Sequence, residues 1–386
     1  AQASPGGYVL SSKPGIYDHV LVLDFKSLYP SIIRTFCIDP MAMAEGLSQD
    51  FDSAKHVKGF VGARFSRDNH LLPEIIKQLW AARDEAKRNN DGALSQAIKI
   101  IMNSFYGVLG SNGCRFFDTR LASSITLRGH QIIMETKDYI EQQGYAVIYG
   151  DTDSLFIWVK DCVDSVQANA VGEELAANLN DRWRARLTTE MNLESVLEVE
   201  FETHFKRFLM PTIRGSEAGS KKRYAGVVEN KDSEDKLIFK GLEAVRTDWT
   251  RLARDFQFSL YQKIFADQPF EDFVKNTVLK LQAGELDADL LYRKKLRQPL
   301  ADYVKNVPPH VQAARKLQQW GGLVPKRGDW IEYVITIAGP EPAVMQRSQL
   351  DYEFYIERQL APAADGILQF YSQSLEQITA PQMGMF

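Results

Sequence analysis

Cysteine is nearly missing from this sequence: Cys37, Cys114 and Cys162 are the only three in 386 residues, widely spaced and odd in number. That excludes a disulfide scaffold and a zinc site, and leaves a reducing, cytoplasmic setting as the simplest expectation. Long apolar runs are missing too. The longest stop well short of the ~20 residues needed to cross a bilayer, so no membrane is expected. Histidine is sparse, and its six positions are scattered, each compatible with an ordinary core or surface residue. No internal repeat, low-complexity tract or secretory signal is visible. The start AQASPGG lacks an initiator Met and reads as an internal cut in a longer protein.

The remaining composition is that of a globular chain. An apolar fraction of 45 % with 25 % charged residues excludes wholesale disorder, and the length calls for two or three subdomains, each with its own core. A net charge of −4 argues weakly against a nucleic-acid partner, but the charge is unevenly spread. Between Arg293 and Lys316 lie Arg293, Lys294, Lys295, Arg297, Lys305, Arg315 and Lys316, against Asp302 alone. A second basic cluster, KKRY (221–224), follows RGSEAGS. Basic stripes on an acidic protein suit a polyanion held on one face, although a solvated helix face has the same composition.

Along the chain, HVLVLDF (19–25) reads as a buried strand ending in a carboxylate. SLYPS then reads as a turn leading into a helix, SIIRTF, with Pro30 near its start. Good helix formers run from Leu71 to Asn89, NNDG marks a turn, and a second helix covers 93–109. So short a loop predicts an antiparallel helical hairpin. Further helices are expected over 119–143, stopped by Gly144, and over 163–191. A β-hairpin carrying GDTD lies between them, 197–211 and 223–229 alternate as strands, and long helical stretches follow from Val245.

Inside GYAVIYGDTDSLFIWV, Asp151 and Asp153 interrupt an otherwise apolar hairpin. Residues i and i+2 on a tight turn project near one rim, so their charges repel unless a cation is present. Oxygen ligands without His or Cys select hard cations, Mg²⁺ above all. Asp24, at the end of the other buried strand, is the natural partner, and such a site can clamp two Mg²⁺ around an attacking and a leaving oxygen. An Asp-rich turn held by local hydrogen bonds remains open as an alternative. Lys99, Asn103 and Tyr106 fall at i, i+4 and i+7 on one helical face. Arg83 and Lys87 share the i, i+4 relation on the preceding helix, and two such faces opposed across a hairpin would cradle a triphosphate. A solvated face for Arg83 and Lys87, or helix-end packing for Tyr106, explains each residue taken alone.

Together these segments resemble the family B DNA polymerases. DFKSLYPSII (24–33) is similar to the family's first catalytic motif, KIIMNSFYG (99–107) to the second and YGDTDS (149–154) to the third, in the right order and spacing. KKRY and FKGLEAVRTDW (239–249) extend the resemblance, which covers essentially the whole chain. The SPGGYV and KPGIYDHVLVLD segments and the QMGMF ending look most like the bacterial polymerase II subfamily.

The resemblance implies an α+β fold of right-hand architecture. Its parts would be an antiparallel β palm (1–65 and 113–244), helical-hairpin fingers (66–112) and an α-rich thumb (245–386) ending in a clamp-binding-like tail. It implies template-directed addition of dNTPs to a primer 3′-hydroxyl, in replication, repair or lesion bypass, by a monomer associated with the bacterial nucleoid. Two Mg²⁺ ions, replaceable by Mn²⁺, would sit on Asp24, Asp153 and the Phe25 backbone, with Asp151 in a supporting role. Ser27, Leu28, Tyr29, Arg83, Lys87, Lys99, Asn103 and Tyr106 would bind the dNTP, Tyr29 as the ring that leaves no room for a 2′-hydroxyl. Gly107, Thr152, Lys222, Arg223 and Tyr224 would contact primer-template DNA, with Glu202 a nearby palm acid. Gln382, Met385 and Phe386 resemble peptides that dock on a sliding clamp.

Two departures stand out. The family often has Tyr two residues before its paired glycines, where this chain has Ser4 before Gly6 and Gly7. The proofreading domain would precede residue 1, so the chain as given is expected to lack 3′→5′ exonuclease activity. The rivals are a catalytically dead, DNA-binding homologue and a nucleotide cyclase with a related palm. Intact aspartates oppose the first; Tyr29, KKRY and the basic stripe have no use in the second.

Overall fold

In a computed structural model, which describes residues 5–213, 219–230 and 234–380, the chain divides into two units. One comprises residues 1–13 and 17–206, the other 14–16 and 207–386. Each has its own hydrophobic core.

The first unit opens with β1 (Gly15–Phe25), followed by α1 (Leu28–Thr35), α2 (Pro40–Ser48) and a small hairpin, β2 (His56–Lys58) and β3 (Arg64–Ser66). Then come α3 (Leu72–Arg88), α4 (Gly92–Leu109), α5 (Thr119–Gln142), β4 (Ala146–Asp151), β5 (Ser154–Trp158), α6 (Ser165–Met191) and β6 (Val199–Met210). The order β4-β5-β1-β6 places β1 between two strands, and Val20 to Leu23 are buried in succession, so both its faces are covered and VLVLDF is an apolar run rather than an alternation. Leu21, Leu23 and Phe25 of β1 pack with Ile32 and Ile33 of α1 and Ile125, Ile132 and Ile133 of α5.

Of SLYPS only Ser27 lies in a turn. The α1 helix already begins at Leu28, because Ser27 turns the chain in a left-handed conformation (φ 45°, ψ 59°), and Pro30 tolerates the first turn, where its missing N–H is not needed. The expected helical hairpin is there as α3 and α4, joined through Asn89 to Asp91. Asp91 accepts from the Leu94 N–H at 2.9 Å and so starts α4. One unforeseen carboxylate starts two helices: buried Asp39 takes the Ala42 N–H on Oδ1 (2.8 Å) and the Leu71 and Leu72 N–H groups on Oδ2 (3.0 and 2.7 Å).

The second unit contains the end of β6, then β7 (Tyr224–Val228) and β8 (Lys236–Lys240), which pair antiparallel from Tyr224 opposite Lys240 to Val228 opposite Lys236. It continues with α7 (Arg251–Phe265), α8 (Glu271–Gln282), β9 (Tyr292–Lys295), α9 (Pro309–Gln319), β10 (Trp330–Thr336) and β11 (Gly339–Pro342). Last come α10 (Tyr352–Tyr355), a π-helical turn over Ile356–Leu360, α11 (Ala361–Leu368) and α12 (Leu375–Thr379). The run of helices expected from Val245 is therefore broken by a three-stranded antiparallel sheet, β11-β10-β9.

That sheet also rearranges the basic stripe. Arg293, Lys294 and Lys295 are strand residues, not a helix face. Arg315 donates to the Leu300 and Tyr303 carbonyls (3.0 and 2.8 Å) and Lys316 to that of Ala338 (2.8 Å), so these two cations hold loops together. Lys294, Lys295, Arg297 and Lys305 are exposed. The tail residues Gln382, Met385 and Phe386 lie outside the described residues, as does Ser4. No helix of the described residues is long and apolar enough to cross a membrane.

Candidate active site

The aspartates of the first unit meet because β1 and β5 are neighbours. Asp24 lies opposite Ser154, Asp151 pairs with Ser154 across the β4–β5 turn, and the Phe25 N–H donates to the Asp153 carbonyl at 2.8 Å. The turn is tight: the Asp153 N–H reaches back to the Asp151 carbonyl at 2.6 Å over Thr152, whose φ is +54°. A β-branched residue in that region is strained, and such strain persists only where surrounding structure imposes it. Here the N-terminal segment imposes it, running along β4 with Val9 in an isolated antiparallel bridge to Asp151. Tyr8 accepts from the Thr152 N–H (2.8 Å), Leu10 donates to Gly150 and Lys13 to Ile148 (both 2.9 Å). A Cβ on Gly7 would come within 2.5 Å of Thr152 Oγ1, so any larger residue there would displace the Thr152 side chain.

Electrostatically the site is frustrated. Burial, then the charges of Asp153, Glu202 and Glu200, push the Asp24 carboxyl up to about 7. Asp153 is pushed up to about 6, by burial first and then by Asp151 and Glu202. Lys99 on α4 stands close enough to oppose both shifts. The nearest sequence cation, Lys26, is engaged elsewhere, with Glu198 at 2.8 Å and Glu200 at 3.0 Å. Oxygen donors of this kind, raised by burial and then by mutual repulsion, fit a hard divalent cation. Among the described residues no group of three or more such side chains is assembled to hold an ion unaided, so ligand oxygens and water must complete its shell.

The other predicted residues of this unit divide into those brought to the aspartates and those not. Tyr29 sits in the first turn of α1, and its ring packs on Tyr106 of α4 at 5.0 Å between centroids. Burial, Tyr106 and the nearby aspartates push its hydroxyl up to about 12. Tyr106 in turn donates to the Pro5 carbonyl (3.4 Å), tying α4 to the N-terminal segment. Ser27 and Leu28 form the N-terminus of α1, where backbone N–H groups have no partner within the helix. Lys99 and Asn103 are exposed on α4, and Gly107 faces open space, with nothing within 4 Å of an added Cβ. Arg83 is half-buried, with Nε shielded and without a partner, whereas Lys87 is exposed. Among the described residues no hydrogen bond or ion pair ties Arg83 or Lys87 to the aspartates.

KKRY belongs to the second unit and has a local architecture of its own. Lys222 is left-handed (φ +58°), and a Cβ on Gly241 would lie 2.3 Å from its carbonyl oxygen, so glycine is required opposite. Arg223 donates to Glu243 at 2.5 Å, and Glu243 is only 4 % exposed. Gln257 of α7 donates to the other Glu243 oxygen (2.7 Å) and accepts from the Ala244 N–H (2.8 Å). Tyr224 packs on Phe208 at 5.3 Å. Sequence reasoning missed Glu243, Gln257 and the stacked pair His19–His204 (3.0 Å between ring nitrogens). The only trace of Glu243 was its place in FKGLEAVRTDW.

A family model described as DNA polymerase family B matches residues 1–380. The chain belongs to the family B DNA polymerases. DNA polymerase II of Escherichia coli (strain K12) is similar to this polymerase chain, at 55 % identity over all of it and 49 % of that protein. A DNA polymerase of Thermococcus gorgonarius is 29 % identical over 97 % of the chain and 48 % of its own length. Among solved structures, the family B DNA polymerase of the archaeon Pyrobaculum calidifontis matches all of the chain with a TM-score of 0.65 at 26 % identity. The chain thus spans about half the length of the relatives it matches, and among them it is most like polymerase II.

Proposed function

We propose that this region carries out template-directed DNA synthesis, transferring nucleotides from dNTPs to a primer 3′-hydroxyl. The observation that carries the reading is the pair Asp24, near the end of β1, and Asp153, in the adjoining β4–β5 turn, raised to about 7 and about 6 largely by burial and repulsion, with Lys99 beside them. A protein does not maintain such a pair for stability; it suits a site that receives cations and a polyphosphate.

Two Mg²⁺ ions, replaceable by Mn²⁺, would activate the primer hydroxyl and neutralise the departing pyrophosphate. Asp24, Asp153 and the Phe25 backbone hold them, with Asp151 in support. The N–H groups of Ser27, Leu28 and Tyr29 at the start of α1 take the triphosphate. Arg83, Lys87, Lys99 and Asn103 close on its charge when a fitting base pair lets the α3–α4 fingers swing in. The Tyr29 ring lies against the sugar, Tyr106 flanks the nascent pair, and Gly107, Thr152, Lys222, Arg223 and Tyr224 hold the duplex. In this reading 1–65 and 113–244 form the palm and 245–386 the thumb, whose exposed cations bind phosphates in a salt-sensitive way. Gln382, Met385 and Phe386 dock on a sliding clamp.

Primer extension with Mg²⁺ tests this, comparing deoxy- and ribonucleoside triphosphates on the protein and on Tyr29→Ala. The parent should extend with dNTPs, and the variant should accept ribonucleotides at least tenfold better, about the value of a lost steric exclusion. No extension by the parent would overturn the reading; ribonucleotide use unchanged by the substitution would remove Tyr29 from its role.

A further inference from the structure

Where α5 passes the Tyr29 ring it carries a glycine. Gly129 occupies the middle of α5 (Thr119–Gln142), where glycine destabilises a helix by roughly 1 kcal/mol relative to alanine. Its backbone is ordinary helix, so the freedom that glycine offers is not used. The reason for it lies in packing. A Cβ added at Gly129 would stand 3.3 Å from Tyr29 Cε1, 3.6 Å from Ile32 Cδ1 and 3.8 Å from Leu28 Cδ2. The last two are ordinary carbon contacts, which run about 3.5–4.0 Å; the contact with the ring is not.

What gives way is decided by burial. Leu28 and Ile32 are fixed in the core with Ile132 and Ile133, and such packing does not shift for one methyl group. Tyr29 is only partly buried, with Gly129 against the ring and Tyr106 at 5.0 Å. The ring is therefore the part that moves, away from α5.

We propose that Gly129 is a specificity-determining residue: the recess left by its missing side chain sets how far the Tyr29 ring stands out from α5, and so how strongly a ribonucleoside triphosphate is rejected. Gly129 acts through Tyr29 and touches no substrate itself. The inference rests on the reading of Tyr29 as the group that abuts the nucleotide sugar. The ligand chemistry it controls is the 2′-hydroxyl.

The test is single-nucleotide incorporation by the full-length protein, with kcat and KM measured for a dNTP and the matching rNTP. Four forms are compared: parent, Gly129→Ala, Tyr29→Ala and the double variant. Gly129→Ala should raise the ratio of kcat/KM for dNTP over rNTP by about threefold or more, the scale on which one methyl group acts in a tight pocket. The rise should come mainly from the KM for the rNTP. In the Tyr29→Ala background the same substitution should change the ratio by less than about twofold, because coupling vanishes when the partner is gone. An equal effect in both backgrounds, or a ratio that stays level or falls in Gly129→Ala, overturns the inference. So does a Gly129→Ala protein that fails to fold, since the ring would then be unable to yield. If Tyr29→Ala itself leaves ribonucleotide use unchanged, the steric reading of Tyr29 fails first, and that result is distinguishable from the others.

Discussion

Two carboxylate centres of the protein, one half-buried and one buried, have been treated in opposite ways. Around Asp24 and Asp153, like charges crowd together, the adjacent Lys26 is paired elsewhere, and the two carboxyls are raised to about 7 and about 6. Around Glu243, both oxygens are matched, one by Arg223 and the other by Gln257, while Gln257 closes the circle through Ala244. An acid left in conflict with its surroundings marks a place where something charged is to arrive. An acid with both oxygens answered marks a place where a shape is to be kept.

Each centre can be turned into the other. The largest effect is expected from Asp153→Asn, which relieves the conflict: primer extension should fall on the order of 10³-fold or more, as loss of a transition-state contact implies. In chelator at pH 8 the same variant should melt about 2 °C or more above the parent. Loss of activity without any gain in melting temperature would mean that the repulsion around Asp153 is not destabilising.

Glu243→Ala makes the opposite conversion by taking the carboxylate from Arg223 and one of two acceptors from Gln257, which keeps the Ala363 carbonyl. Breaking a fully buried pair costs about 3–5 kcal/mol, and because the Arg223 side chain is 32 % exposed the expected loss here is about 2 kcal/mol. Denaturant melts would measure it, and Glu243→Gln should recover part of it by keeping the hydrogen bonds. A Glu243→Ala protein as stable as the parent would show that the network carries no load.

The smallest effect is a pH dependence. Both Asp24 and Asp153 have folded values above the unfolded 3.8, so between about 4 and 7 the folded state retains protons that the unfolded state has lost. Stability in chelator should therefore fall as pH rises through that window, by a few degrees in melting temperature, and level off above it. Asp153→Asn should flatten the slope. A slope of opposite sign in the parent would contradict the conflict at this centre.

Much of this was legible in the chain, for physical reasons that differ by element. The strand ending at Asp24 and the hairpin around Asp151 and Asp153 declared themselves because buried central strands are apolar throughout, so a carboxylate stands out. The α3–α4 hairpin was readable from helix formers flanking a turn. The β9–β10–β11 sheet was not, since β9 is a short YRKK with three exposed basic residues, and its composition says charge before it says strand. Nor could the sequence show that Arg315 and Lys316 bind carbonyls, or that Glu243 is buried. A side chain's partner is set by tertiary packing rather than by its neighbours in the chain. Asp39-Pro40 was a readable helix start that went unused, and its second duty, at Leu71 and Leu72, was beyond any local signal.

That second duty gives α3 a lever's mechanics. Its base is pinned to one carboxylate by two bonds that can pivot, and Lys87 lies fifteen residues beyond Leu72, about 22 Å at 1.5 Å per residue. A tilt of about 10° at Asp39 would barely stretch those bonds and yet sweep Lys87 through about 4 Å. With Leu72, Ile76 and Ala86 of α3 buried, any such tilt would also have to slide that face over the core, so the acid sets where the helix starts and the packing sets how far its end can travel.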